Sequence, residues 1–185
     1  WFVDLNGDRI IDEKDMQQLG TSAPRFHGSF SSKLSLARFT IDALFTFSQG
    51  NEIFNQLRYN LESASGTENQ LNSVVSRWRT EGQVTNMPKA SFGDPRGNNR
   101  FSDRWLEDGS YLRLRNLTVS YDLGFKEKFV KNASVYLTGN NLITSTKYTG
   151  YDPEFSAGTS IFSQGIDTGL DPLFRSVTLG IRIGL

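Results

Sequence analysis

The chain has 185 residues, with 20 basic and 20 acidic side chains and therefore no net charge. No basic cluster builds up along it, which argues against nucleic acid as a partner. The lack of cysteine excludes a disulfide framework, a thiolate metal site and a cysteine nucleophile, and no apolar run approaches the roughly 20 residues of a membrane helix.

The first motif, DLNGDRIIDEKD at residues 4–15, has the donor spacing of a calcium loop. Side-chain oxygens stand at loop positions 1, 3, 5, 9 and 12, and a backbone carbonyl at position 7; the residues are Asp4, Asn6, Asp8, Asp12, Asp15 and Ile10. Two departures are Arg9 at the usual glycine position and an aspartate at the usual glutamate position. The pattern predicts a calcium site, and the alternative is a polar turn that holds no metal.

Strand-like runs follow, in which apolar and polar residues alternate with a period of two. They cover residues 26–37, 38–48, 111–123, 133–143 and 176–185. The second run is the clearest, because every other residue from Phe39 to Phe47 is apolar. The third changes phase, which predicts a bulge near Arg115–Asn116. The last alternates as far as Leu185, which predicts a strand paired to its end.

The connections between these runs alternate in length: a tight turn near residues 36–38, about 60 residues, about ten residues, and about 30 residues. Outer-membrane barrels alternate short turns with long external loops in this way. A soluble β-sandwich, the other architecture with such strands, rarely has connections beyond roughly 15 residues.

Inside the first long connection, residues 67–82 predict a helix. Thr67 and Gln70 have the spacing of a capping box. An apolar stripe at helical spacing follows them, formed by Leu71, Val74, Val75 and Trp78.

The sequence indicates no enzyme. His27 is the only histidine, which leaves no histidine-based metal cluster, and no nucleophile motif surrounds any serine. Neighbouring carboxylates such as Glu107 and Asp108 point apart on a strand and make poor acid–base pairs.

The long connections also contain aromatic residues with amides and acids between them. The ligand candidates among these aromatics are Trp78, Trp105, Tyr148 and Tyr151. Aromatic faces flanked by amides suit sugar rings or peptide segments, and the alternative is that the rings pack the loops against one another. Phe155 and Phe162 lie in the same region.

Several stretches taken together carry a family resemblance. In chain order they are DLNGDRIID, FTFSQGNEIFN, RW, WLEDGSYLRLRNLTVSYDL, VYLTGNNLITSTKYTGYDPE and TLGIRIGL. This series resembles the C-terminal end of the SusC/RagA family of TonB-linked outer-membrane receptors of Bacteroidetes. Arg9, where the family usually has glycine, and Leu185, where an aromatic residue is usual, depart from its pattern.

The resemblance implies an all-β fold, the C-terminal strands of a large antiparallel transmembrane barrel with 22 strands. The expected segments are an extracellular loop with the calcium-like motif (1–24), a strand pair (25–48), an extracellular loop with a short helix (49–109), a strand pair (110–143), an extracellular loop (144–173) and the terminal strand (174–185). The chain starts at Trp1 without a methionine, so the plug and the TonB contact are expected before it.

The resemblance also implies a function: import of oligosaccharides or peptides across the outer membrane, driven by TonB, with a SusD-like surface lipoprotein as lid. The expected surroundings of the barrel are outer-membrane lipids. Two alternatives stay open at this point. One is a soluble glycan-binding β-sandwich with a calcium loop, and the other is a TonB-dependent receptor for a siderophore or vitamin.

Overall fold

The computed structural model of the chain describes residues 2–124, 130–154, 158 and 160–184. Strands dominate it: β1 Phe26–Leu36, β2 Phe39–Gln49, β3 Glu52–Asn55, β4 Leu106–Asp108, β5 Tyr111–Asp122, β6 Asn132–Thr146, β7 Ile166–Asp167 and β8 Ser176–Gly184. One α-helix, α1, spans Gln56–Glu62, and short 3-10 turns cover Glu13–Asp15, Asn72–Ser76, Asp103–Trp105 and Ile161–Ser163. Leu185, Phe155 and residues 125–129 of the turn before β6 lie outside the described residues.

Five strands form one antiparallel sheet in the order β1-β2-β5-β6-β8. These are the five runs of the sequence prediction, with ends that differ by at most three residues. A second, three-stranded sheet has the order β4-β3-β7, and its short strands went unpredicted. The mostly-strand fold class is therefore confirmed, while the closed 22-stranded barrel stays a prediction.

The register of the large sheet separates an apolar face from a polar face. Directly opposed residues share a face in an antiparallel sheet. One such row across all five strands contains Leu34, Ile41, Val119, Leu137 and Leu179. The row one residue along contains Lys33, Asp42, Thr118, Thr138 and Thr178. The apolar side chains are uncovered, with Leu179 72% exposed and Leu34 61% exposed.

The predicted bulge is confirmed. The pairing of β5 shifts between Leu114 and Asn116, and the same shift is present on the side of β2. Opposite the bulge, Asn141 has a φ of 51°, in the left-handed region that asparagine tolerates better than most residues. The bulge lets the consecutive residues Arg115 and Asn116 both contact groups of the polar face, namely Glu154 and Asn140.

The predicted helix at 67–82 is wrong. Only the 3-10 turn Asn72–Ser76 forms there, and Leu71, which precedes it, has no side-chain cap. The backbone N–H of Leu71 donates to the Leu61 carbonyl at 3.0 Å, and that of Trp78 donates to the Met87 carbonyl at 3.0 Å. These contacts with distant parts of the loop replace the hydrogen bonds that a helix would make within itself.

The helix that does form, α1, is only 7 residues long. Its N-cap is Asn55, whose side-chain oxygen accepts from the backbone N–H of Arg58 at 2.9 Å. A helix this short has too few turns to show an apolar stripe, which explains why the sequence pattern did not indicate it. Among the described residues, no helix is long and apolar enough to cross a membrane.

Candidate functional site

A buried arginine organises the polar face of the large sheet. Arg113 on β5 is only 2% exposed. Its Nη2 donates to Asp152 Oδ1 at 2.5 Å, and its Nη1 lies 2.7 Å from Glu154 Oε2. Both carboxylates belong to the connection after β6, so the guanidinium joins that connection to the sheet. A guanidinium presents two parallel donors, which suits a site that must hold two carboxylates.

Glu154 has two further donors on β5. Arg115 Nη2 donates to its Oε1 at 2.5 Å, and the Tyr111 hydroxyl donates to the same oxygen at 2.7 Å. Two arginines and two carboxylates therefore form one group with no net formal charge. Such mutual pairing is what allows charged side chains to be buried.

A second polar group surrounds Glu107 on β4. The Arg58 guanidinium donates to its Oε1 at 2.9 Å, and the backbone N–H and hydroxyl of Thr149 donate to its Oε2 at 2.9 and 2.6 Å. Burial opposes ionisation of Glu107, but the hydrogen bonds from Thr149 and Arg58 outweigh it and lower the pKa of this carboxyl below its ordinary value. Glu107 therefore acts as an ionised acceptor that connects α1 with the connection after β6.

Two guanidinium groups lie near the Trp105 ring. It is 1% exposed, with the Arg58 guanidinium 5.7 Å and the Arg104 guanidinium 4.9 Å from its ring centroid. Tyr59 meets it edge-on at 5.3 Å. Glu62 accepts from Arg58 at 3.2 Å and lies 3.7 Å from Arg104, which pairs both cations.

Tyr148 makes a third buried contact. Its hydroxyl donates to Asp167 Oδ2 at 2.6 Å, and Asp167 is 0% exposed. Burial and the hydrogen bond to this carboxylate raise the pKa of the Tyr148 hydroxyl above its ordinary value. The tyrosine thus stays protonated and holds β7 against the residues that follow β6.

A cavity of about 590 Å³ opens on the polar face beside Glu154. Its size is in the range of ligand pockets. Hydrogen-bonding side chains line much of it: His27, Ser29, Thr46, Ser48, Asn51 and Gln164. Arg115 and Glu154, the charged residues of the wall, are paired with each other. The cavity can therefore offer hydrogen bonds to a ligand without an unpaired formal charge.

The structure separates the four aromatic candidates. Trp105 and Tyr148 are buried, at 1% and 6% exposure, and pack the loops in the way described above. Trp78 is half-buried, and Tyr151 is 66% exposed. Ligand contact by Trp78 and Tyr151 stays a prediction. His27 lies on β1 and lines the cavity.

Sequence reasoning missed the role of Arg113, Asp152 and Glu154. One signal was present, because Arg113 stands at a polar position of an alternating strand and the two acids follow the end of the next strand. Their contact depends on the pairing of β5 with β6 and on the path of the chain afterwards, which no local pattern contains.

The calcium-like loop is held by hydrogen bonds from its own backbone. Asp4 accepts from the N–H groups of Gly7 and Arg9 at 2.6 and 2.7 Å. Asp15 accepts from Asp12 and Leu5 at 2.9 and 2.8 Å, and these two bonds lower the pKa of its carboxyl. Over the part of the chain that the structure describes, no group of three or more acidic or histidine side chains is arranged to hold a metal ion.

Arg9 nevertheless has a φ of 68°, the backbone conformation for which such loops use glycine. Calcium binding stays a prediction. We expect Arg9→Gly to relieve that strain and to strengthen calcium binding by the full-length protein, and Asp8→Asn, which removes a ligand charge, to weaken it. Calorimetric titration of the two variants and the unmodified protein measures this order. An absence of binding heat in all three at millimolar calcium would contradict the prediction.

No family model matches the chain. Among curated relatives, it is 32% identical over 98% of its length to TonB-dependent receptor P26 of Formosa agariphila. It is 26% identical over 98% of its length to TonB-dependent receptor SusC of Bacteroides thetaiotaomicron. It covers 19% and 17% of these two relatives, so the chain spans about a fifth of their length.

Solved structures agree with the sequence matches. The RagAB peptide importer in its open-open state superposes on the whole chain with a TM-score of 0.79 and 27% identity, over 20% of that chain. Its closed-closed state superposes on 90% of the chain with a TM-score of 0.76 and 28% identity, over 18% of that chain. With its two-faced antiparallel sheet, the chain thus belongs to the SusC/RagA family of TonB-dependent receptors, which are outer-membrane β-barrel proteins.

Proposed function

We propose that the chain is part of a TonB-dependent transporter that imports oligosaccharides or peptides together with a SusD-like surface lipoprotein. The observation that carries the proposal is the division of the large sheet into an uncovered apolar face and a polar face with a hydrogen-bonding cavity. A membrane barrel needs this arrangement, because its outer face meets lipid and its inner face meets water and the transported ligand.

The relatives support a transport function but do not identify the ligand. The solved neighbours are structures of a peptide importer. The hydrogen-bonding side chains that line the cavity suit a sugar or a peptide backbone equally, since both present neutral donors and acceptors.

The test compares cells that carry or lack the whole receptor, offered labelled oligosaccharides, peptides, siderophores or vitamins. We expect deletion to abolish uptake of an oligosaccharide or a peptide, and deletion of the lipoprotein partner to reduce the same uptake. Loss of siderophore or vitamin uptake alone would contradict the proposal and favour that class of receptor.

The proposal also sets the direction in which each strand crosses the membrane. If the C-terminus of the barrel is periplasmic, β8 runs inward, β6 outward and β5 inward. The connections at 49–109 and 144–173 then lie outside the cell, together with the calcium-like loop. The turn at 124–133 lies in the periplasm. The two long connections can therefore contact a ligand and the lipoprotein.

We expect an epitope tag inserted between Gly97 and Asn98 to bind antibody on intact cells, because it lies in an external connection. A tag inserted after Gly124 should bind only after the outer membrane is permeabilised. Flow cytometry measures both variants, with total receptor on immunoblots as the control. The reverse labelling pattern would overturn the orientation.

A further inference from the structure

One segment of the connection after β6 lies against the polar face instead of standing clear of it. We call residues 147–154 the strap. Asp152 and Pro153 are buried within it, and Tyr148 is 6% exposed. Lys147, Thr149 and Tyr151 are exposed, and Tyr151 is 66% exposed. External loops of barrels usually lie at the surface and move more than the strands they connect, so this burial needs a cause.

The near half of the strap is anchored on two other elements. Thr149 donates through its backbone N–H and its hydroxyl to Glu107 on β4, at 2.9 and 2.6 Å. The Tyr148 hydroxyl donates to Asp167 on β7 at 2.6 Å. Both anchors belong to the three-stranded sheet, whereas β6, the strand that leads into the strap, belongs to the large sheet.

The far half is anchored on β5 through Arg113, which contacts Asp152 and Glu154 at 2.5 and 2.7 Å. Asp152 also accepts from the backbone N–H of Leu173 at 3.3 Å, which connects the strap to the residues before β8. Arg113, Asp152 and the hydrogen bond between them are buried. Glu154 also accepts hydrogen bonds from Arg115 and Tyr111.

If the strap moved away from the polar face, Asp152 and Glu154 would separate from the buried Arg113 guanidinium. The Arg113 guanidinium is 2% exposed and would lose both carboxylates at once. A buried charge without a partner is strongly unfavourable, so an opened strap must be rarely populated. The cavity is bounded by Glu154 and Pro153, and its shape on this side therefore depends on whether the strap stays in place.

We propose that Arg113 is a positioning residue that fastens the strap to the polar face as a fixed wall of the cavity. The strap is not a lid that opens to admit ligand. The inference rests on the proposed function in one respect only, since the polar face is a ligand path only if the protein is an importer.

Amide hydrogen exchange of the full-length receptor, without ligand, tests the proposal by mass spectrometry. The informative strap amides are those of Tyr148, Thr149 and Glu154, which donate to Thr146, Glu107 and Asp152. We expect them to exchange about a hundredfold or more slowly relative to amides around Val84, a residue that is 99% exposed.

The substitution Arg113→Lys keeps the charge but loses the two parallel donors, which allows the receptor to fold with a weaker fastening. We expect exchange at the strap to rise about tenfold or more, with β1 and β2 amides unchanged. Arg182→Lys is the matched control, because Arg182 lies on the polar face of β8 beside the Tyr136 ring and away from the strap. It should leave strap exchange unchanged.

Rapid exchange of the strap in the unmodified receptor, at the rate seen around Val84, would overturn the proposal. Equal effects of Arg113→Lys and Arg182→Lys would overturn the role of Arg113. The readout does not involve uptake. A receptor with a protected strap that imports nothing would therefore refute the proposed function and leave the strap proposal standing.

Discussion

Replacing Arg113 with methionine is expected to lower the free energy of unfolding of the full-length receptor by about 3–5 kcal/mol. Methionine keeps an unbranched side chain of similar length but removes the charge. Asp152 then loses its 2.5 Å contact and Glu154 its 2.7 Å contact, and Asp152 is left buried at 3% exposure. Urea titration in detergent, followed by tryptophan fluorescence, measures the change.

Arg182→Met is the control for removing an arginine from the same face. Arg182 is exposed in the structure, so its loss should cost under about 1 kcal/mol. Equal losses of stability in the two variants would contradict the view that Arg113 and its two carboxylates hold the connection after β6 in place. An additional Asp152→Asn substitution should recover part of the loss, because it removes the buried carboxylate charge that has lost its arginine, whereas Glu154 keeps Arg115.

Replacing Phe45 with arginine is expected to destabilise the folded barrel by about 2–4 kcal/mol, the cost of a cation on the lipid face near the bilayer midplane. Phe45 stacks on Phe30 with ring centroids 4.8 Å apart and lies opposite Leu114. The substitution removes this stacking and places a charge on the apolar face. Equilibrium folding of the full-length receptor into lipid vesicles measures the change.

Thr118→Arg is the matched variant on the polar face. Thr118 lies opposite Asp42, so an arginine there meets a carboxylate. We expect a loss below about 1 kcal/mol, which includes the hydrogen bond that Thr118 makes with Thr138. A larger loss for Thr118→Arg than for Phe45→Arg would show that the two faces have been assigned the wrong way round.

The strands of the large sheet could be predicted because each strand is indicated by the alternation of its own consecutive residues. Alternation from Phe39 to Phe47 sets which side chains share a face, and the change of phase at Arg115–Asn116 sets the bulge. The failed helix at 67–82 shows the limit of local patterns. Leu71 and Trp78 have helical spacing, but their backbone N–H groups bond to Leu61 and Met87.

The contacts of Arg113 and Tyr111 with the two carboxylates after β6 could not be predicted from the sequence, for a different reason. Arg113 and Asp152 are 39 residues apart, and Tyr111 and Glu154 are 43 apart. Their meeting requires the register of β5 with β6 and the return of the chain over the sheet. The burial of the aromatic candidates also could not be predicted, since nothing in the sequence distinguishes buried Trp105 from half-buried Trp78.

The proposed function requires that one face of the large sheet meets lipid and the other a polar interior. A scan of single spin labels along residues 40–47 of β2, in the full-length receptor reconstituted in lipid, tests it most directly. We expect high oxygen accessibility at Ile41, Ala43 and Phe45, and low oxygen accessibility at the residues between them, because oxygen concentrates in the hydrocarbon. Oxygen accessibility that is highest at the even-numbered positions, or that does not alternate, would contradict it.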